Sequence, residues 1–410
     1  WGDNGASMEG TTTGSFNETT FFNGIVLNAE QQLAIIEKFG GIEALGGFHT
    51  APHFAAAWAH ANNTPFQWGK QMASHLGGTR DPMVISWPKK IAAGGDLRTQ
   101  FTHCIDVVPT ILEVVGLPVP TNVDGIEQEP LDGTSFAYTF DAPAADEQHT
   151  VQYFEMYGSR AIYKDGWWAC TKLDKLPWDF GPKTLARFGP GSGWDPNADV
   201  WELYYLPDDF SQAHNIAADN PEKVAELVDL FWVEAERNRV LPLLGGFAVF
   251  FGMLPPMPTR TRFTFAGDVQ NVQTTMIPRI YGRSYAIEAD VHIPEGGAEG
   301  VLVAFADFIG GFALWIDEYG LLNHTYQYLG VETYRQTSTE PVPTGDVTLK
   351  MIFDADETTP GTGGHVTLWA DDRQIGEGEM PHTIALLFTT YAGMDISRDN
   401  GGVVDLDYED

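Results

Sequence analysis

The sequence predicts a mixed fold in three parts: an α/β layered domain, a small α+β subdomain and an all-β sandwich. Three patterns predict it. Helical and strand-like apolar stretches alternate up to about residue 140. A group of short strands with a hairpin signal and one amphipathic helix fills 145–240. After 259 only alternating strand patterns and turn residues recur. The expected division is 1–144, 145–240, a linker over 241–258, and 259–410.

In the first part, Asn28 is placed to N-cap a helix running to Lys38. Pro82 to Pro88 holds a short apolar run closed by proline, which predicts a buried strand. Asp106 to Val115 has apolar residues at helical spacing and is ended by Gly116 and Pro118. In the second part, strands are expected over 151–157, 160–163, 167–170 and 201–206. Asp165-Gly166 forms the tight turn between two of them. Asn220-Pro221-Glu222 starts a helix, with Pro at N1 and acid in the first turn. Val224, Leu227, Val228, Phe231 and Trp232 form its apolar face. In the third part, 284–293, 311–316, 346–353 and 365–369 alternate as sandwich strands should, with turns at 318–320 and 371–372.

Lys plus Arg number 23 and Asp plus Glu 56, a net charge of −33. Such a field repels phosphate backbones, so nucleic acid is not expected as a partner. The two cysteines, Cys104 and Cys170, form no framework, and a bridge between them is not expected. The apolar run from Val240 to Pro258 is interrupted by four prolines and three glycines, so membrane insertion is not expected. The chain opens with Trp1 on a Gly-Asp-Asn-Gly turn and stops in strand-like sequence. Truncation is therefore expected at both ends, with the sandwich continuing past 410.

Few residues carry a chemical signal by themselves. Asp3 and Asn4 offer a carboxylate and an amide carbonyl, two hard oxygens suited to calcium. On spacing alone Asp3-Asn4-Gly5 reads better as an ordinary turn. Lys70 precedes Gly77-Gly78 and could approach an anion, although a solvated lysine is the simpler reading. Arg80 is expected to brace the structure, and His75 either to donate to an anion or to pack. His49 and His53 lie at i and i+4 with Pro52 between, so a metal-binding helix face is doubtful.

The ordered set is more informative than any member. Asp3-Asn4-Gly5-Ala6-Ser7, then Gly69-Lys70, then Gly77-Gly78-Thr79-Arg80-Asp81-Pro82, then Thr102 to Glu113, resembles the second half of the sulfatase catalytic domain. Gly133-Thr134-Ser135, Tyr153 to Trp168, and Trp201 to Asn215 resemble the segments that follow it. The resemblance is to formylglycine-dependent arylsulfatases of the alkaline phosphatase-like superfamily, in a long bacterial subgroup, and covers nearly the whole chain.

That resemblance implies several roles. Asp3 and Asn4 match the pair that ligates one active-site calcium, a set incomplete in this chain. Lys70 matches the lysine that binds sulfate-ester oxygens near the leaving group. The stretch from that lysine to the Gly-Gly pair is one residue longer here than in several relatives. Asp106, Pro109 and Thr110 match a structural helix and receive no chemistry. The expected substrate is a small-molecule or glycan sulfate ester. The family's nucleophile, a Cys or Ser oxidised to formylglycine within C/S-x-P-x-R, is expected upstream, because neither Cys104 nor Cys170 fits the motif. These 410 residues alone should therefore be inactive. A periplasmic or secreted location is favoured over a cytoplasmic one. The rival readings are a phosphonate or phosphate-ester hydrolase of the same superfamily, and a non-catalytic glycan-binding homologue. The second would use sandwich aromatics such as Trp315, Tyr319 and Trp369, for which core packing is the favoured role.

Overall fold

The computed structural model describes residues 1–2, 4–91, 95–179, 182–189, 191–246 and 260–408. The chain forms two compact units, one of Trp1–Met8 with Ala57–Leu254, the other of Glu9–Ala56 with Pro255–Asp410.

The first unit is built around a four-stranded antiparallel sheet. Its strands run in the order Val151–Met156, Ser159–Lys164, Trp167–Thr171 and Glu202–Tyr205. Asp165 and Gly166 both have positive φ, 48° and 84°, so their turn matches the twist of the strands it joins. Alternation gives each face its own cover. Ile162, Ala169 and Leu203 pack beneath the helix Pro221–Arg237 through its buried Leu227, Phe231 and Ala235. Burial of Leu227 or Phe231 stabilises this layer by about 1.5–3 kcal/mol each. The opposite face carries Ala161, Tyr163, Trp168, Cys170 and Tyr204, which pack with Leu76. That second contact seats the loop around residue 75 on the sheet.

The helix Val107–Val115 ends at Gly116, whose φ of 71° supplies the left-handed cap. Its N-terminal anchor is Asp106, which is fully buried. This carboxylate accepts from the backbone N–H groups of His103 at 2.8 Å and Thr134 at 2.7 Å, and from His149 Nδ1 at 2.8 Å. His149 Nε2 faces the Val151 carbonyl at 3.1 Å. Both ring nitrogens thus meet acceptors, which suits the imidazolium. Burial pulls the His149 pKa down, but the hydrogen bond and charge of Asp106 outweigh it and the net shift is upward. A raised folded-state pKa adds stability that is complete below the unfolded value of about 6.5 and fades as pH rises through the folded one. Urea unfolding of the chain should therefore show stability falling as pH is raised through that window. His149→Gln should flatten the fall, and an unaltered slope in that variant would refute the linkage.

The expected strand at 82–88 is not formed. Val84 is 89% exposed, and no strand among the described residues pairs with this segment. An apolar run becomes a strand only where its backbone groups find a ladder. By compactness 9–56 groups with the β-rich C-terminal part, and 57–254 runs through position 144 as one unit. Of the expected linker, positions 247–258 lie outside the described residues. No helix among the described residues is long and apolar enough to cross a membrane.

The second unit is a sandwich of two antiparallel sheets. One has five strands, in the order Glu332–Thr337, Leu322–Tyr328, Phe312–Ile316, Gly300–Phe305 and Met394–Ile396. The other has four, in the order Arg373–Met380, Gly364–Ala370, Gly345–Ala355 and Tyr285–Ile293. Val347, Leu349, Met351 and Phe353 are buried at alternate positions and pack with Phe305, Phe312, Leu314 and Tyr326. Trp315 points to the other side of its sheet and packs with Val301, Ala304, Ala313 and Val404. It is 2% exposed and its indole N–H donates to Thr325 Oγ1, so it fills a core, as expected. Trp369 is half-buried and only Tyr319 of the three aromatics is well exposed. Asn17 and Asn23 fasten the segment 9–56 to this unit: Asn17 donates to the Leu329 carbonyl at 2.7 Å, and Asn23 to that of Leu387 at 2.8 Å. The helix Ala29–Lys38 begins at Asn28 with a complete capping box to Gln31.

Candidate functional site

Of the expected site residues, Asp3 lies outside the described residues, whereas Asn4 and Lys70 are both placed in the first unit. Backbone packing brings their segments together. The Lys70 N–H donates to the Ala6 carbonyl at 3.2 Å. A Cβ built on Gly5 would stand 1.8 Å from the Gly77 carbonyl oxygen. One built on Gly77 would stand 2.2 Å from the Gln67 oxygen and 2.4 Å from that of Trp68. Only glycine allows these three strands of loop to touch. Ala at position 5 or 77 should therefore force the loops apart, costing about 1–3 kcal/mol by overpacking. Urea denaturation checks this, and wild-type stability in both variants would contradict it.

Asn63 completes the crossing. It is buried at the C-terminal end of the helix Ala56–Asn63. Its Oδ1 accepts from the Ala6 N–H at 2.9 Å and its Nδ2 donates to the Trp68 carbonyl at 3.1 Å. One amide thus ties the Asn4 turn to the Lys70 loop across 57 residues of sequence. Nothing in the sequence singled out Asn63, because its partners are backbone groups distant along the chain. Trp68 and Gln71 flank Gly69-Lys70 with φ of 66° and 76°. Left-handed backbone at non-glycine residues costs about 1–3 kcal/mol each and gathers at functional sites.

The loop after Lys70 rests on the sheet. The Trp168 indole N–H donates to the Ser74 carbonyl at 2.8 Å, and the Leu76 N–H to Gln212 Oε1 at 2.7 Å. His75 is 2% exposed, with Nδ1 2.9 Å from Ser74 Oγ and Nε2 3.3 Å from Glu202 Oε2. It packs rather than facing solvent. Lys172 adds a second cation nearby, with Nζ 4.6 Å from the centre of the Trp68 ring. Arg80 braces as expected, its guanidinium 4.2 Å from the Phe210 ring and 5.3 Å from that of Phe66. His49 and His53 form no helical metal face; His53 Nε2 pairs with Glu18 Oε2 at 2.6 Å. Cys104 and Cys170 are both free thiols.

Comparisons with known proteins find similarity to sulfatases. The family model described as Sulfatase matches residues 1–117, the stretch that holds Asn4, Lys70 and Gly77-Gly78. An uncharacterised sulfatase of Schizosaccharomyces pombe is 26% identical over 204 residues, 48% of this chain and 32% of that protein. The solved structure titled "Crystal structure of Ps i-CgsB" is 21% identical over 48% of this chain and 37% of its own, with a TM-score of 0.34. A Bacteroides thetaiotaomicron structure from work on glycosaminoglycan metabolism is 20% identical over 45% and 35%, with a TM-score of 0.31. The chain spans about a third of the length of the curated relative. The similarity to sulfatases thus lies in residues 1–117 for the family model and in about half of the chain for the curated relative, in keeping with the resemblance of the sequence.

Proposed function

We propose that this chain is part of a sulfuric-ester hydrolase of the arylsulfatase type that cleaves sulfate monoesters. The observation that carries the reading is the glycine-locked crossing of the Asn4 turn, the Lys70 loop and Gly77-Gly78 inside residues 1–117. In this reading Lys70 neutralises charge on the sulfate oxygens near the leaving group. Its backbone is held by Ala6, and the left-handed residues on either side fix the loop's path. Preorganised charge of this kind lowers the barrier because little reorientation is needed as the transition state forms.

Asp3 and Asn4 would hold calcium. Their donor set, a carboxylate and an amide carbonyl, consists of hard oxygens and fits that ion. Calcium bound there would supply Lewis-acid neutralisation of the sulfate oxygens. The formylglycine nucleophile is assigned to a segment N-terminal to position 1, because C/S-x-P-x-R does not occur in these 410 residues. By this reading they are inactive alone, the substrate is a small-molecule or glycan sulfate ester, and the location is periplasmic or secreted. The coding sequence upstream of Trp1 should contain that motif, and mass spectrometry of the full gene product should find its Cys or Ser as the aldehyde. An intact gene without the motif would exclude the proposal.

A further inference from the structure

The face of the sheet that seats the loop of residues 74–79 carries a second group of metal-ligating side chains, none of them assigned above to calcium. Cys170 and Glu202 are direct cross-strand partners on neighbouring strands. Such pairs project side by side from one face. His75 approaches from the loop packed above them. The imidazole nitrogen, the thiol sulfur and a carboxylate oxygen all lie within 4.8 Å of one another. We propose that His75, Cys170 and Glu202 bind a divalent cation of the zinc class.

The chemistry of the set selects the ion. A thiolate, an imidazole and a carboxylate suit zinc or cobalt, whereas calcium takes oxygen ligands almost alone. Three protein ligands around zinc leave a fourth position for water or an exogenous ligand. Burial is graded to match. Cys170 is fully buried and His75 nearly so, whereas the Glu202 side chain is 37% exposed and opens a path from solvent.

The outer contacts are those of an oriented metal-binding histidine. Ser74 Oγ lies 2.9 Å from His75 Nδ1. With the Nδ1 proton donated to Ser74, Nε2 presents its lone pair toward Glu202. The Tyr204 hydroxyl donates to Glu202 Oε2 at 2.6 Å and holds that carboxylate. Nε2 and Glu202 Oε2 stand 3.3 Å apart, so a positive centre belongs between them. A proton on Nε2 is the competing occupant. Burial pushes the Cys170 thiol well above its ordinary range. Metal binding must displace that proton, so affinity should increase with pH.

The test uses the reduced, chelator-treated 410-residue chain titrated with cobalt(II), followed by competition with zinc. The expected result is one cobalt per chain, with a thiolate-to-cobalt charge-transfer band that zinc abolishes. The band should vanish in Cys170→Ser and persist in Cys104→Ser. Ser74→Ala, which removes only the outer contact, should weaken cobalt binding about 10-fold or more. Glu202→Gln, at a half-exposed position, should weaken it as well, which covers the case in which Cys170→Ser does not fold. Absence of the band in the wild-type chain would overturn the proposal. So would a band that survives in Cys170→Ser, disappears in Cys104→Ser, or shows unchanged affinity in Glu202→Gln. The assay reads no sulfatase activity, so its outcome is independent of the function proposed above.

Discussion

Lys70→Ala in the full gene product should lower kcat for an aryl sulfate by about 10²–10³-fold, the usual cost of removing one preorganised charge-stabilising group. The expectation rests on the charge that Lys70 is proposed to place beside the sulfate oxygens. The Lys70 backbone N–H bonds to Ala6, and alanine keeps that bond. The glycine contacts on either side involve no Lys70 side-chain atom. Turnover should collapse well beyond what any loss of stability accounts for. Lys70→Arg should recover part of the activity, since guanidinium keeps the charge but not the compact geometry of an ammonium. Steady-state kinetics beside urea denaturation separate the two effects. Wild-type turnover in Lys70→Ala would remove this lysine from the site.

The second large effect is structural. Asp106→Ala should destabilise the first unit by about 3–5 kcal/mol, the range for breaking a buried, hydrogen-bonded charge pair. The carboxylate is fully buried and holds three separate segments through His103, Thr134 and His149. Alanine leaves two backbone N–H groups and an imidazole without their acceptor. Asp106→Asn should cost less, because its amide oxygen keeps one acceptor. Urea unfolding reads both. A loss under about 1 kcal/mol in the alanine variant would show that the charge is dispensable.

Elements with local chemical signals were legible in the sequence. Asn28 caps its helix, Asp165-Gly166 turns its hairpin, Pro221 opens its helix, and the alternating residues of 345–355 face the sandwich core. Features that depend on distant partners were not. The run at 82–88 carries a strand's composition, but composition does not supply a ladder. The segment 9–56 joins the β-rich unit through Asn17 and Asn23, polar side chains that bond to backbone more than 300 residues away. No periodicity encodes such a contact. The same holds at the candidate site. Spacing alone favoured a plain turn for Asn4 and a solvated side chain for Lys70, and only the ordered family segments pointed elsewhere. Asn63 and the approach of His75 to Glu202, 127 residues apart, appear only in three dimensions.

The central claim is the proposal that this chain serves sulfate-ester hydrolysis. Its most direct test is to measure kcat/KM of the full gene product on a matched aryl sulfate and aryl phosphonate. The account predicts that the sulfate ester is the better substrate. Preference for the phosphonate, or no cleavage of the sulfate by a product whose nucleophile is converted to the aldehyde, would contradict it.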